Sequence, residues 1–360
     1  MSLNDCIGKT LKLWPILVDH YSRYVTQKLV RQYMVGSIME LFRNTQKLTS
    51  AKEDHLTEFF SASLKASQAM RDKFMQVVFG ADDARSIALV ETQSIYPNCR
   101  PDMRIELDDG FVLLCENKLD AVETIGNEQT EFTPQLTRYL ALPVDGVMYI
   151  RTSLKAPATN VLEHSRYIRP ADKQHFLWRD FYSTLLDDDN ALVCELKAGF
   201  EYLGFVPPNP IIGDLTRDAP RAQRENFGKF WLSTTSAAVE LGWKVSVGDI
   251  VERYFYHPEA RLADWVYVNP INPERFLVRL SALPGNDDEL LALLQQSTQH
   301  TNQSITKRKV TRANGIVTVV DVEAPISTVL PDSLTTAYDI ETTLYNYVLP
   351  LLEIVFGQDD

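Results

Sequence analysis

The sequence predicts an α/β fold with a mixed central sheet, followed by a second αβ region, and three observations carry that reading. An apolar stripe of helical spacing runs through residues 52–79. Three short strand-like runs follow, the last two joined by Asp108-Asp109-Gly110. A short helix and one more apolar run, Gly146 to Thr152, come after them. Helix, strand, hairpin, helix, strand in that order describes an α/β sandwich rather than an all-helical or all-strand domain.

Taken in order, residues 9–43 show helical spacing through Leu11, Leu13, Ile16, Leu17, Tyr21, Tyr24, Val25 and Leu29, with Pro15 near a boundary. Residues 1–50 are thus expected to form an N-terminal helical extension. Leu56, Phe59, Phe60, Leu64, Met70, Phe74 and Val77 line the next helix, which Gly80 ends. A strand over Ser86 to Tyr96 is stopped by Pro97. Met103 to Leu107 and Phe111 to Lys118 form the hairpin, whose loop ends in a glycine suited to the left-handed conformation. Thr133 and Pro134 start a short helix over Gln135 to Leu142. Residues 160–205 read as helical again around Phe176, Trp178, Phe181, Leu185, Leu192, Leu196 and Phe200. Pro207-Pro208-Asn209-Pro210 is the clearest linker, and it separates residues 51–205 from a C-terminal αβ region over 211–360. There, Trp265 to Val268 and Phe276 to Leu280 predict a hairpin, Ile316 to Val322 a strand, and Leu344 to Phe356 a closing helix.

Composition narrows the function classes. With 45% hydrophobic and 23% charged residues over 360 positions, the chain is an ordinary globular protein long enough for one large or two moderate cores. No apolar run reaches membrane-span length, and the first residues lack a signal-peptide layout, so the cytoplasm is the expected location. The four cysteines form no C-x-x-C pair and the six histidines no H-E-x-x-H, which argues against zinc ribbons, disulfide frameworks and zinc hydrolases. A net charge of −12 does not by itself decide the sign of a local cleft. Two basic clusters stand out, Arg217, Arg221, Arg224 and Lys229, and Lys307, Lys309, Arg308 and Arg312. Contact with nucleic acid through Lys307 to Arg312 would appear as a salt slope that falls when those charges are removed.

The hairpin carries the chemistry. If Leu107 faces Phe111, counting away from the loop sets Arg104 opposite Leu114 and Asp102 opposite Glu116. Directly opposed residues on one face have β-carbons only ~4.5–5.5 Å apart, where like charges repel. A divalent cation between two carboxylates offsets that repulsion, and Mg²⁺ or Mn²⁺ prefers such oxygen ligands. Lys118 shares a face with Glu116, two residues along the strand, while Asn117 points the other way. An ammonium and a carboxylate there can orient a metal-bound water and share charge developing on a phosphate.

Pro101-Asp102 followed by Glu116-Asn117-Lys118 resembles the PD-(D/E)XK nuclease pattern. The stretch from Glu116-Asn117-Lys118-Leu119-Asp120-Ala121 to Gln135-Leu136-Thr137-Arg138-Tyr139 is similar to a prokaryotic branch found in mobile-element and phage-defence settings. The resemblance covers roughly residues 50–155 and implies a restriction-endonuclease-like αβββαβ core. It implies metal binding by Asp102 and Glu116, with the main-chain carbonyl of Asn117 completing the coordination, and a lysine, Lys118, that assists the water. Gln135 and Tyr139, four apart on one helix face, match the branch's Gln-x-x-x-Tyr. Glu58, in Leu56-Thr57-Glu58, matches the acidic residue many members carry on their first helix. The expected activity is Mg²⁺-dependent cleavage of phosphodiester bonds, in DNA first and RNA as a neighbouring reading, with a homodimer or partner protein using residues 211–360. The competing reading is a nuclease-like fold that binds nucleic acid or protein without catalysis.

Overall fold

Alternating and helical apolar patterns settle into two sheets, each with its own helices. The structure, a computed structural model, describes residues 41–125, 132–270, 275–297, 303–312 and 315–357. The helix expected over residues 9–43 therefore lies outside the described residues up to residue 40. The first described helices are α1 (Leu41–Leu48), α2 (Lys52–Ala66) and α3 (Gln68–Phe79). The single helix expected over 52–79 is thus broken at Ser67. That residue is extended (φ −122°, ψ 121°), and its hydroxyl accepts from the Met70 N–H at 3.1 Å. A serine cap of this kind stabilises a helix start by about 1 kcal/mol, which favours the break over continuation.

Strands β1 (Ile87–Thr92), β2 (Met103–Leu107) and β3 (Val112–Asn117) form an antiparallel meander. Met103 pairs with Cys115, Arg104 with Leu114 and Ile105 with Leu113, and the Leu107 N–H donates to Phe111 O at 2.9 Å. This is the register the hairpin count anticipates. Gly110 (φ 86°) supplies the left-handed turn residue and donates its N–H to Leu107 O.

After α4 (Gln135–Leu140), β4 (Gly146–Arg151) enters parallel to β3. Parallel pairing requires both faces covered, and all six β4 residues are buried. The helix expected across 160–205 is instead several pieces: α5 (Thr159–Leu162), β5 (Tyr167–Ile168), β6 (Phe176–Leu177), a 3₁₀ helix (Trp178–Leu185) and α6 (Ala191–Leu203). β5 and β6 pair with successive halves of β4, so the apolar residues around Phe176 serve a sheet edge. The sheet order is β1-β2-β3-β4-β5, with β6 also on β4, and its mixture of directions makes it a mixed sheet in an α/β fold. One face packs Met103, Ile105, Leu113, Cys115 and Met148 against α2, α3, the 3₁₀ helix and α6. The other packs Leu114, Val147 and Tyr149 against α4 and α5.

Beyond Pro207–Pro210 the chain forms α7 (Arg221–Gly228), α8 (Leu232–Glu240), β7 (Lys244–Val247), β8 (Arg253–Tyr256), β9 (Ala263–Asn269), β10 (Arg275–Ala282), α9 (Asp287–Ser297), β11 (Ser304–Arg312), β12 (Gly315–Pro325), α10 (Ile326–Val329) and α11 (Ala337–Glu353). The six strands pair antiparallel in the order β11-β12-β10-β9-β8-β7. One face of this sheet packs on α8 and α11 through Trp231, Phe276 and Tyr347.

The two regions meet through buried ion pairs. Arg151, at the end of β4, reaches Glu240 of α8 at 2.6 Å, and Ser153 donates to the same carboxylate. Arg179 meets Glu341 of α11 at 2.8 Å, and Glu341 also accepts the Ser233 N–H. No helix among the described residues is long and apolar enough to cross a membrane.

Candidate active site

The hairpin register and the parallel entry of β4 bring four elements to the end of β3. Asp102 lies just before β2, and its Oδ2 accepts the Asn117 N–H at 2.7 Å. Across from it, Glu116 is fully buried, and its Oε2 accepts from the Tyr139 hydroxyl at 2.7 Å and from Gln135 Nε2 at 2.9 Å. Gln135 and Tyr139 face β3 together because residues four apart share a helix side, and Gln135 Nε2 also donates to the Tyr139 oxygen at 2.6 Å. The loop preceding α4 satisfies its first free N–H groups: Gln135 donates to Thr124 O and Leu136 to Glu123 Oε1. That fixes the helix beside the glutamate.

Lys118 bridges the sheet end. Its Nζ lies 2.6 Å from Glu116 Oε1 and 2.9 Å from Glu53 Oε1, on the first turn of α2. The backbone around it is held from four sides. Lys118 N–H donates to Ile150 O at 2.8 Å and Leu119 N–H to Glu53 Oε2 at 2.9 Å. Lys118 O accepts from Trp178 Nε1 at 3.0 Å and Leu119 O from the Ser236 hydroxyl at 3.0 Å. Each of these four partners comes from a different element, so the lysine's backbone position is over-determined. Asn117 turns its side chain to the opposite layer and donates to Thr57 Oγ1 at 2.9 Å.

Burial dominates the electrostatics. It pushes the Glu116 carboxyl up to about 8, with neighbouring Asp102 adding to the shift and Lys118 opposing it. It pushes Asp102 up to about 6, offset in part by Lys118 and the Asn117 N–H. For Lys118, burial acts to lower the pKa, but Glu116, Glu53 and Asp102 outweigh it and hold the ammonium well above its usual range. Burial and Glu116 likewise hold the Tyr139 hydroxyl protonated. One lysine thus serves three carboxylates.

These residues fit a hard divalent cation. Gln135 Oε1 is a buried acceptor without a hydrogen-bond donor among the described residues, and Glu116 Oε1 has the Lys118 ammonium as its close counter-charge. Two buried carboxylates short of positive charge are what Mg²⁺ or Mn²⁺ accepts, and Mg²⁺ commonly keeps waters for its remaining positions. Among the described residues, no three Asp, Glu, His or Cys side chains form a ready-made metal cage.

The structure therefore brings Asp102, Glu116, Asn117, Lys118, Gln135 and Tyr139 together, but not Glu58. That glutamate is exposed on α2, and the acidic residue at the cluster is Glu53, five positions earlier. The signal was present in the spacing. Glu53, Thr57, Phe60 and Leu64 follow one helical stripe that continues into the buried face, whereas Glu58 lies off it. The roles of Trp178 and Ser236, from distant parts of the chain, had no local signal. The basic clusters are mostly neutralised internally. Lys307 pairs with Asp287 and Asp288, Arg308 with Asp321, Arg217 with Glu252, Arg221 with Glu225 and Arg224 with Asp249. No protein-family model matches the chain, and neither does any curated protein or any solved structure.

Proposed function

We propose that this chain is a metal-dependent nuclease of the PD-(D/E)XK type, hydrolysing phosphodiester bonds, with DNA as the first substrate to test. One observation carries the reading: buried Asp102 and Glu116 lie one step beyond the Met103–Cys115 pair at the same end of the hairpin, with Lys118 against Glu116. The run α2, β1–β3, α4, β4 supports a restriction-endonuclease-like αβββαβ core, with the site at the end of its central strand.

Asp102 and Glu116 would hold Mg²⁺ or Mn²⁺, with the Asn117 main-chain carbonyl as a further ligand. When bound, such a cation lowers the pKa of a coordinated water and takes up charge on the phosphate. The chain's own residues do the positioning. Tyr139 and Gln135 hold Glu116 Oε2, which leaves Oε1 directed at Lys118. Glu53 holds the Lys118 ammonium at the site mouth, where it donates to the attacking water or to a phosphate oxygen. Its contacts with Glu53 and Glu116 place the Lys118 ammonium to act as a donor. A role in prokaryotic defence or mobile elements is the setting that the motif resemblance favours.

Cleavage of supercoiled plasmid, linear duplex, single strands and RNA with Mg²⁺ or Mn²⁺ tests the reading, wild type against Lys118→Ala. Metal-dependent cutting that falls about 10²–10³-fold in the variant is expected, the loss typical when one charge-stabilising donor is removed. No cutting of any substrate by the wild type would overturn the reading and favour a binding module.

A further inference from the structure

The C-terminal sheet has one face whose side chains lie outside its hydrophobic core cluster. Because strand side chains alternate, residues paired in register share a face. Phe255, Val266, Val278, Leu280, Val320 and Val322 point into the core over α8 and α11. The other face reads across the strands in two rows. In one, Lys244 pairs with Tyr256, Tyr256 with Trp265, Trp265 with Ser281, Ser281 with Val319 and Val319 with Arg308. In the next, Tyr254 pairs with Tyr267, Tyr267 with Arg279 and Arg279 with Asp321.

Four aromatic rings therefore stand in a block on two adjacent strands. Tyr254 and Tyr267 stack at 4.6 Å, and the Arg312 guanidinium lies 3.8 Å over the Trp265 ring. Tyr254 and Tyr256 remain 36% and 45% exposed, a large aromatic surface to leave open to water. Lys244, Arg275, Arg279, Arg308 and Arg312 share this face. Arg279 and Arg308 pair with Asp321 and Arg275 with Glu323, while Lys244 and Arg312 lie over the Tyr256 and Trp265 rings. Strand alternation divides the basic run of β11, so Arg308 and Arg312 lie on this face and Lys307 and Lys309 on the other.

We infer that this open sheet face is a base-stacking platform for single-stranded nucleic acid, an inference that rests on the nuclease reading and names an unpaired strand as part of its substrate. Aromatic rings on a sheet offer flat surfaces to unstacked bases, and flanking arginines take the phosphates. A duplex keeps its base faces covered and offers this surface only its backbone. The platform points away from the catalytic sheet, since its opposite face packs on α8 and α11, which dock on the nuclease region through Glu240 and Glu341. It therefore holds a segment of strand remote from the scissile bond.

The test is fluorescence anisotropy with the full-length chain in EDTA, so that binding is read without cleavage. The probes are labelled oligothymidylate, oligouridylate and a duplex of equal length. Tyr256→Ala and Trp265→Ala are each expected to weaken single-strand binding about tenfold, as loss of a stacking partner does, with little change for the duplex. Arg312→Gln is expected to lower the single-strand salt slope by about 0.7. Thermal melting checks that each variant folds, and Tyr256, half exposed, can be removed with least risk to the core. Unaltered single-strand affinity in both folded aromatic variants overturns the inference, as does a wild-type chain that binds no oligonucleotide. Loss of cleavage with intact platform binding would instead count against the nuclease reading alone.

Discussion

The two sheets treat a buried carboxylate in opposite ways. In the C-terminal sheet, Asp321 is buried but meets two guanidiniums: Arg279 on both oxygens, at 2.6 and 3.0 Å, and Arg308 at 2.8 Å. In the N-terminal sheet, Glu116 shares a single lysine with Glu53 and Asp102. The first arrangement has more cation than carboxylate and is structurally complete. The second lacks positive charge, and its carboxyl groups are driven toward the protonated form. The surrounded carboxylate fits a structural role, and the one short of positive charge fits the proposed metal-binding role.

The largest effects should separate these two carboxylates. Glu116→Gln is expected to reduce metal-dependent cleavage about 10³-fold. In urea unfolding with EDTA, however, it should leave stability no lower, because the neutral amide spares the fold a poorly compensated charge. Asp321→Asn should cost about 3 kcal/mol in the same unfolding experiment, since it leaves two guanidiniums short of their counter-charge, and it should leave the catalytic groups in place. Equal destabilisation by both changes would erase the distinction.

A smaller effect tests how the shortage is arranged. Glu53→Ala removes both the Lys118 ammonium partner and the acceptor of the Leu119 N–H. Cleavage should fall about 10–100-fold, the range seen when a group orienting a metal-site residue is lost. Glu58→Ala, on the exposed side of the same helix, should change neither cleavage nor stability beyond about 0.5 kcal/mol. Matched losses from the two variants would remove Glu53 from the site.

A pH-dependent effect lies at the seam between the sheets. His175 is buried against Ser153 O at 2.9 Å, and Ser153 in turn donates to Glu240 of α8. Burial pulls its pKa down to about 3, with Arg151 adding to the shift. The unfolded chain therefore takes up a proton below about pH 6.5 while the folded chain does not. Stability contributed by neutral His175 is fully present above that pH and is lost as pH falls toward 3. Unfolding free energy should drop by up to about 1.4 kcal/mol per pH unit across this window, and His175→Gln should flatten the drop. An identical slope in the variant would place the pH sensitivity elsewhere.

Particular residues show how far the sequence could be read. The break at Ser67 was written locally, as a serine three residues before Met70, yet the apolar stripe on both sides concealed it. Residues 160–205 misled because short buried strands and a 3₁₀ turn are as apolar as a helix, and periodicity alone does not separate them. In the C-terminal region, β9, β10 and β12 were legible from their alternation. β11, with its run of lysines and arginines, was not, because an edge strand facing water carries no apolar signature.

The sequence by itself determined the hairpin register. A three-residue turn closed by Gly110 and a side-chain period of two leave one pairing that buries Ile105 and Leu113 together, and that pairing sets Asp102 opposite Glu116. It also determined that Gln135 and Tyr139 share a helix face. Only the tertiary structure decided that Glu53 and not Glu58 meets Lys118, that Trp178 and Ser236 fix the backbone at residues 118–119, and that the second sheet is clamped through Glu240 and Glu341. Local periodicity specifies which face of an element is buried. The angle and height at which two elements pack depend on all the side chains between them, and so does the choice of which polar groups meet at their ends.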